Sequence, residues 1–225
     1  RIPEISYESM QALARAGARV LHSQAVQLAE ERGIAIYARH SRPDHPGETV
    51  IRRNPAVQSG VLAVTSDPAV AALQLTLVRA RGHLVPQLSA ALAPLGLRSL
   101  HVDERGATGL LSWTQRTEAG AVLDRIGALA RQLQADLLEL RWRDGLALVS
   151  CVGVGLEDRP DVGARACEVL AGANIEVQQM LTDSRTLTFV VAAARRLLAV
   201  RELHAALLPA RASSSEHDLS APRSQ

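Results

Sequence analysis

Lysine is absent: all 25 basic residues among the 225 are arginine. A phosphate-loop lysine, a Schiff-base lysine and a lysine reaching a transferred phosphoryl group are therefore excluded within this chain. Aromatic residues make up only 2%, too few for the stacking strands of an RNA-recognition module. Cysteine is confined to Cys151 and Cys167. They have neither metal-ligand spacing nor the density of a secreted scaffold, so a reducing, cytoplasmic setting is expected, with both thiols as small buried fillers. The net charge is only +2 and the arginines are scattered, which argues against a nucleic-acid partner. No signal peptide or 18-residue apolar run is recognisable, so no membrane partner is expected either. What is present is 47% hydrophobic sequence, enough for one large domain or two to three small ones.

The chain opens with "ISYESMQALARAG", where Ser6 is placed to cap a helix that Gly17 ends. A second helix, "AVQLAEERG", stops at Gly33, and "IAIYAR" alternates as a short strand. "HSRPDHPGETVIRRNP" reads as loop, broken by Pro43, Pro46, Gly47 and Pro55. Helix, helix and strand are too few to close a core.

From Gly60 onward a repeat emerges. Its first copy is strand "AALQLTLVRARG", helix "HLVPQLSAALAPLG", strands "LRSLHVDE" and "TGLLSWTQ", helix "EAGAVLDRIGALARQL" and closing strand "ADLLELRWR". The second is strand "LALVSCVGVG", helix "DVGARACEVLAGA", strands "NIEVQQM" and "RTLTFVVA", and helix "LLAVRELHAALL". This order is the split βαβ, ferredoxin-like arrangement of an antiparallel sheet with two helices on one face. The second copy lacks a closing strand, and the orphan strand "GVLAVTSD", Gly60 to Asp67, is expected to supply it. The first domain would then be inserted in the second, giving two four-stranded sheets. The serine-rich tail "PARASSSEHDLSAPRSQ" is expected to be disordered.

One stretch, "CVGVGLEDRPDVGARACEVLAGANIEV", joins a strand, a glycine turn and a helix. It is not a dinucleotide fingerprint, because "GVGLED" puts Asp158 where the third glycine belongs. The helix start still presents unpaired N–H groups and a positive dipole end, suited to a carboxylate as well as a phosphate. Asn174, opening the next strand, offers an amide oxygen to an ammonium group. Together they would hold an amino acid by both charged ends; the alternative is an ordinary helix start and a strand-initiating asparagine. His40 and His45 sit in a loop without a third metal ligand, and Trp113 and Trp142 read as core.

The opening segment resembles the end of the catalytic domain of aspartokinases, where ISYDEM-ELA-GAKVLHPRAVE-A-IPI-VRSS precedes a Pro–Gly loop ending in T-x-I. Here that loop is "HPGETVI". The remainder resembles the paired ACT domains that follow in that family, ferredoxin-like modules that bind effectors such as lysine or threonine. "VSCVGVGLEDRPDVGARACEVLAGANIEV" matches VSVVGxGMxxxPGVAARxFxALAxAxINI, and "SRTLTFVVA" matches SERSISVVV. The departures are Ser23 and Gln24 in "LHSQ" for LHPR, Asp161 for the glycine of PG, and Met180 where the family has a polar glutamine. Asp161 is a good N-cap type, worth about 1 kcal/mol there.

The resemblance implies an α+β chain: residues 1–55 as a catalytic-domain remnant, 68–143 as a first ACT domain, 60–67 plus 144–208 as a second, and 209–225 as tail. It implies effector-binding positions at Asp158, Arg159, Asp161, Val162 and Gly163 with Asn174 and Ile175, and at Arg81, Gly82 and His83 in the first copy. The family's Lys-Phe-Gly-Gly block and its ATP and aspartate segments are not among these residues. The expected role is regulatory: an amino-acid effector of the lysine or threonine class acting on an attached kinase, in a homodimer. No catalytic residue, metal or cofactor is expected in the chain itself, ATP and Mg²⁺ being implied only for the kinase part. The alternative is an ACT dimerisation module that binds no effector.

Overall fold

The computed structural model describes residues 2–18, 20–42, 47–56, 60–77, 84–112, 119–132 and 137–208. The expected disorder of 209–225 lies outside them, as do His45, Trp113, Arg81, Gly82 and His83.

The N-terminal segment folds as β1 (Glu4–Ile5), α1 (Tyr7–Arg15), α2 (Ser23–Arg32), β2 (Ile36–Arg39) and β3 (Glu48–Ile51). Ser6 caps α1 by accepting the Ser9 N–H at 3.1 Å. Gly33 closes α2 in the left-handed region, φ 65°. The stretch read as loop contains β3, which pairs parallel to β1 and antiparallel to β2. These three strands give the helices a sheet to bury against, with Ile5, Tyr7, Met10, Leu13, Val26 and Ile51 at the centre. The Tyr7 hydroxyl donates to the Ile34 carbonyl at 2.9 Å, satisfying its polar tip inside that core.

The rest comprises β4 (Gly60–Leu77), α3 (Leu84–Leu92) with a 3₁₀ turn at Ala93–Leu95, β5 (Leu97–Asp103), β6 (Gly106–Ser112), α4 (Ala119–Gln132), β7 (Leu137–Val154), α5 (Pro160–Gly172), β8 (Gln179–Thr182), β9 (Thr186–Ala192) and α6 (Arg196–Leu207). Strand order is β5-β6-β4-β7-β9-β8. The two separate four-stranded sheets expected from sequence are instead one six-stranded sheet. The orphan strand and the first copy's opening strand merge into β4, and the first copy's closing strand and the second copy's opening strand merge into β7. Gly60 pairs with Val154 and Asp67 with Leu148, while Leu75 pairs with Leu140. Each end of the β4–β7 ladder therefore completes one βαββαβ unit, the first unit inserted in the second.

Two bulges keep the halves in phase. The register shifts between Asp67 and Val70 on β4, and between Val70 and Ala72 opposite Arg143–Leu146 on β7. Pro68 and Gly145 lie at these points; each looks like a strand breaker in sequence, yet marks an extra residue rather than an end. With one added residue per strand, Leu73 and Trp142 face the same side as Val64 and Cys151. All four helices thus cover one face. α3 and α4 bury Leu88, Leu92, Val122 and Ile126 against Leu73, Leu75 and Leu111. α5 and α6 bury Ala166, Leu170, Ala199 and Leu203 against Val149, Cys151, Phe189 and Val191. Each fully buried leucine or phenylalanine contributes about 1.5–3 kcal/mol.

The opposite face is apolar too. Val152 of β7 and Ala63 of β4 pack into the N-terminal core, so that segment shares a core with the long strands rather than standing apart. Beside them the paired Ser150 and Thr188 hydroxyls meet at 2.8 Å, both buried. Further along lie Val70, Leu110, Leu146, Leu148 and Val190.

Candidate functional site

The glycines of the strand–turn–helix stretch serve chain packing. A Cβ on Gly153 would lie 2.1 Å from the Gly60 carbonyl oxygen, so only glycine lets the start of β4 reach β7 there. Gly155, φ 67°, turns the chain out of the strand, and Leu156 then drops into the core. Asp158 is exposed in the following turn.

α5 begins differently from expectation. Arg159 is the N-cap residue, Pro160 occupies the first turn, and no side chain caps the helix. Asp161 lies inside the helix, so it is not the N-cap. Its carboxylate instead takes two parallel hydrogen bonds from Arg159, Nε to Oδ1 and Nη2 to Oδ2, both 2.8 Å. Those bonds hold the Asp161 carboxyl below its ordinary range, aided by the Arg159 charge, and raise the Arg159 pKa in turn. The positive end of the helix is thus beside an ion pair that the chain provides for itself. Both partners are exposed, so the pair weighs little in stability.

Val162 and Ile175 are core residues of the second unit. Gly163 faces the Leu187 side chain at an ordinary 3.9 Å, so its missing Cβ opens no binding space. Asn174 closes α5 in the left-handed region, φ 54°. Its N–H bonds Ala171 O at 2.9 Å and the Ile175 N–H bonds Leu170 O at 2.9 Å, a Schellman closure. The strand expected from Asn174 begins only at Gln179, because this closure turns Ile175 into the core first. Asn174 and Asp161 therefore sit at opposite ends of a 13-residue helix, about 20 Å apart at 1.5 Å per residue. Within one chain they do not converge on one amino acid.

Other candidates are placed as follows. Trp142 packs in the first unit's core. The His40 Nδ1 accepts the Arg42 N–H at 3.1 Å, and no group of three metal-ligating side chains occurs among the described residues. Cys151 is buried, its thiol pushed up to about 12 by loss of hydration. Cys167 is exposed on α5, against the expectation that both are buried. No helix among the described residues is long and apolar enough to cross a membrane.

Sequence reasoning missed two features. One is a set of arginines gripping α1. Arg98 of β5 pairs with Asp67 and bonds the Arg15 carbonyl at the end of α1 (2.9 Å), while Arg185 bonds Ser9 at its start (3.2 Å). The other is a cavity of about 650 Å³ on the helix-free face, reaching from Ser99 and His101 of β5 to Gln179 and Leu181 of β8. The signal for the second was the apolar stretches Leu146–Val149 in β7 and Phe189–Val191 in β9, which mark strand segments buried on both faces.

Residues 149–207 match the ACT domain family. The aspartokinase of Geobacillus stearothermophilus is 28% identical over 213 residues, covering 92% of this chain and 50% of that protein. Escherichia coli aspartokinase III is similar in structure: its complex with aspartate and ADP (R-state) gives a TM-score of 0.77, and its complex with lysine and aspartate (T-state) 0.73. Each is at 21% identity and covers 93% of this chain and 47% of that one. The ligand-free regulatory subunit of Thermus thermophilus aspartate kinase gives 0.55 at 21% identity, covering 65% of this chain and 98% of that one. The chain spans about half the length of the curated relatives it matches. Over 92% of its length the chain is similar to aspartokinases, and within it residues 149–207 match the ACT domain family.

Proposed function

We propose that this chain is the effector-responsive regulatory part of an aspartate kinase, the enzyme class that transfers a phosphoryl group from ATP to the β-carboxylate of aspartate. The observation that carries this reading is the pair of interlocked βαββαβ units joined to a small N-terminal core through Val152. An effector that prefers one arrangement of the units would shift the attached phosphotransfer segment by its difference in affinity, and by no more. The functional units are 68–143 and 60–67 plus 144–208, with 1–55 as the catalytic-domain end. The ligand is an amino acid of the lysine or threonine class, bound with a second copy of the chain in a cytoplasmic homodimer. A second copy supplies what one chain lacks, since Asp161 and Asn174 stand at opposite ends of α5. ATP and Mg²⁺ belong to the phosphotransfer segment, and this chain takes no cofactor and phosphorylates no aspartate alone.

The test is calorimetry and thermal denaturation of the 225-residue chain with lysine, threonine and methionine. Saturable heat and a raised melting temperature with one of them supports the regulatory reading. Silence with all three leaves the second reading, an ACT dimerisation module without an effector, which the Arg159–Asp161 pair at the start of α5 favours.

A further inference from the structure

The cavity on the helix-free face is unlike the open start of α5. In a flat sheet the edge strands β5 and β8 would stand about 24 Å apart, five intervals of about 4.8 Å. Here both edges line one cavity of about 650 Å³, so the sheet coils its margins over this face. That volume lies within the range of small-molecule sites, roughly 300–1,000 Å³. Leu110, Leu146 and Val190 form its floor and are almost wholly buried although no helix covers them.

Half of the residues lining the cavity are polar, and none of those described is acidic. Among the described residues Arg143, beside the β7 bulge, is the one arginine lining the cavity, and none of them pairs with its guanidinium. Gln74, Gln179 and His101 stand on the same wall, and no acidic residue lines it among the described residues. Ser99, also in the lining, has a buried hydroxyl with no hydrogen-bond partner among the described residues. A buried hydroxyl without a partner costs free energy that a ligand oxygen would recover.

We propose that this cavity binds an aliphatic monocarboxylate, its carboxylate on Arg143 and its hydrocarbon on the Leu110–Leu146–Val190 floor. The guanidinium fork matches one carboxylate in geometry and charge. Inorganic phosphate would bring nearly two charges to one cation and would bury none of the apolar floor. The ammonium of an amino acid would meet only neutral oxygens, because the wall holds no carboxylate. The site therefore prefers a carboxylate without an α-amino group, which separates it from the amino-acid effector reading and makes it independent of that reading.

The experiment is calorimetric titration of the 225-residue chain with 4-methylpentanoate, leucine and inorganic phosphate. Saturable binding is expected for 4-methylpentanoate, weaker by about tenfold for leucine and absent for phosphate, one charge-assisted contact being worth about a factor of ten. Arg143→Gln, an exposed change that leaves the floor intact, is expected to weaken 4-methylpentanoate binding at least about tenfold with an unchanged circular-dichroism spectrum. Amide shifts on titration are expected in β5, β6 and β8 and not at the start of α5. No saturable binding, leucine binding as tightly as 4-methylpentanoate, or binding untouched by Arg143→Gln overturns the proposal. Sedimentation showing that Arg143→Gln dissociates a dimer would also overturn it, since a second copy would then fill the cavity.

Discussion

Arg98 and Asp67 form an ion pair at the point where the two βαββαβ units meet, beside the β4 bulge. The same guanidinium donates from Nε to Ser112 Oγ at 2.8 Å and from Nη1 to the Arg15 carbonyl at 2.9 Å. One side chain of the first unit thus ties the junction to the end of α1. Arg185, from the turn between β8 and β9 of the second unit, holds Ser9 at the other end of that helix. Gly17 lets the loop after α1 approach: a Cβ there would lie 2.6 Å from the Ser66 carbonyl oxygen. α1 is therefore held by both units.

Removing that tie should be measurable. Arg98→Ala is expected to cost about 1–2 kcal/mol, and a cycle with Asp67→Asn should give a coupling of about 1 kcal/mol, because the pair is only partly exposed. Urea unfolding of the single and double variants checks the values. Hydrogen exchange checks the place: amides in the last turn of α1 should exchange faster, and those of α5 should not.

Gly153→Ala pits one methyl group against the Gly60 carbonyl and should destabilise by about 1–3 kcal/mol, the usual range for overpacking. Gly163→Ala meets only ordinary contact and raises helix propensity inside α5, so it should be neutral or slightly stabilising. Thermal unfolding of the two variants side by side checks the contrast. Equal losses at both positions would contradict this account of the glycine turn.

The two thiols should behave oppositely. A disulfide reagent is expected to modify Cys167 quickly and Cys151 only on unfolding, giving one fast equivalent per chain. Burial raises the Cys151 pKa from its ordinary 9.0 to about 12. A raised folded pKa for this acid means that the unfolded chain loses its proton first. The contribution of Cys151 to stability is then full below about pH 9 and falls progressively toward pH 12. Cys151→Ala should flatten that alkaline loss, which unfolding curves at pH 8 and pH 10 would read.

At the start of α5, Asp161→Gly removes the carboxylate that engages Arg159 and restores the residue of the family pattern. Amino-acid binding should appear or strengthen, with little change in stability because both groups are exposed. Calorimetry with lysine and threonine checks this, and unchanged affinity would remove Asp161 from the effector site. The lowered Asp161 pKa fixes the sign with pH: the ion pair is intact at neutral pH and weakens as pH falls through the acid range, when protonation releases Arg159.

Local chemistry in the sequence determined much of this protein. Ser6 and Gly33 set helix ends. The order of apolar periods set two ferredoxin-like units, and an unpaired strand before the first unit pointed to its insertion in the second. These follow from contacts a few residues apart and from the need of every strand to find a partner. Tertiary structure decided what no local period encodes. Strands expected to end at Asp67 and Arg143 run on, because pairing across β4 and β7 absorbed an extra residue on each as a bulge and fused two sheets into one. Asn174 read as the first residue of a strand, yet the pull of Ile175 into the core made it the end of a helix. The cavity wall gathers side chains from both edges of the sheet, and only the summed twist of six strands brings them together.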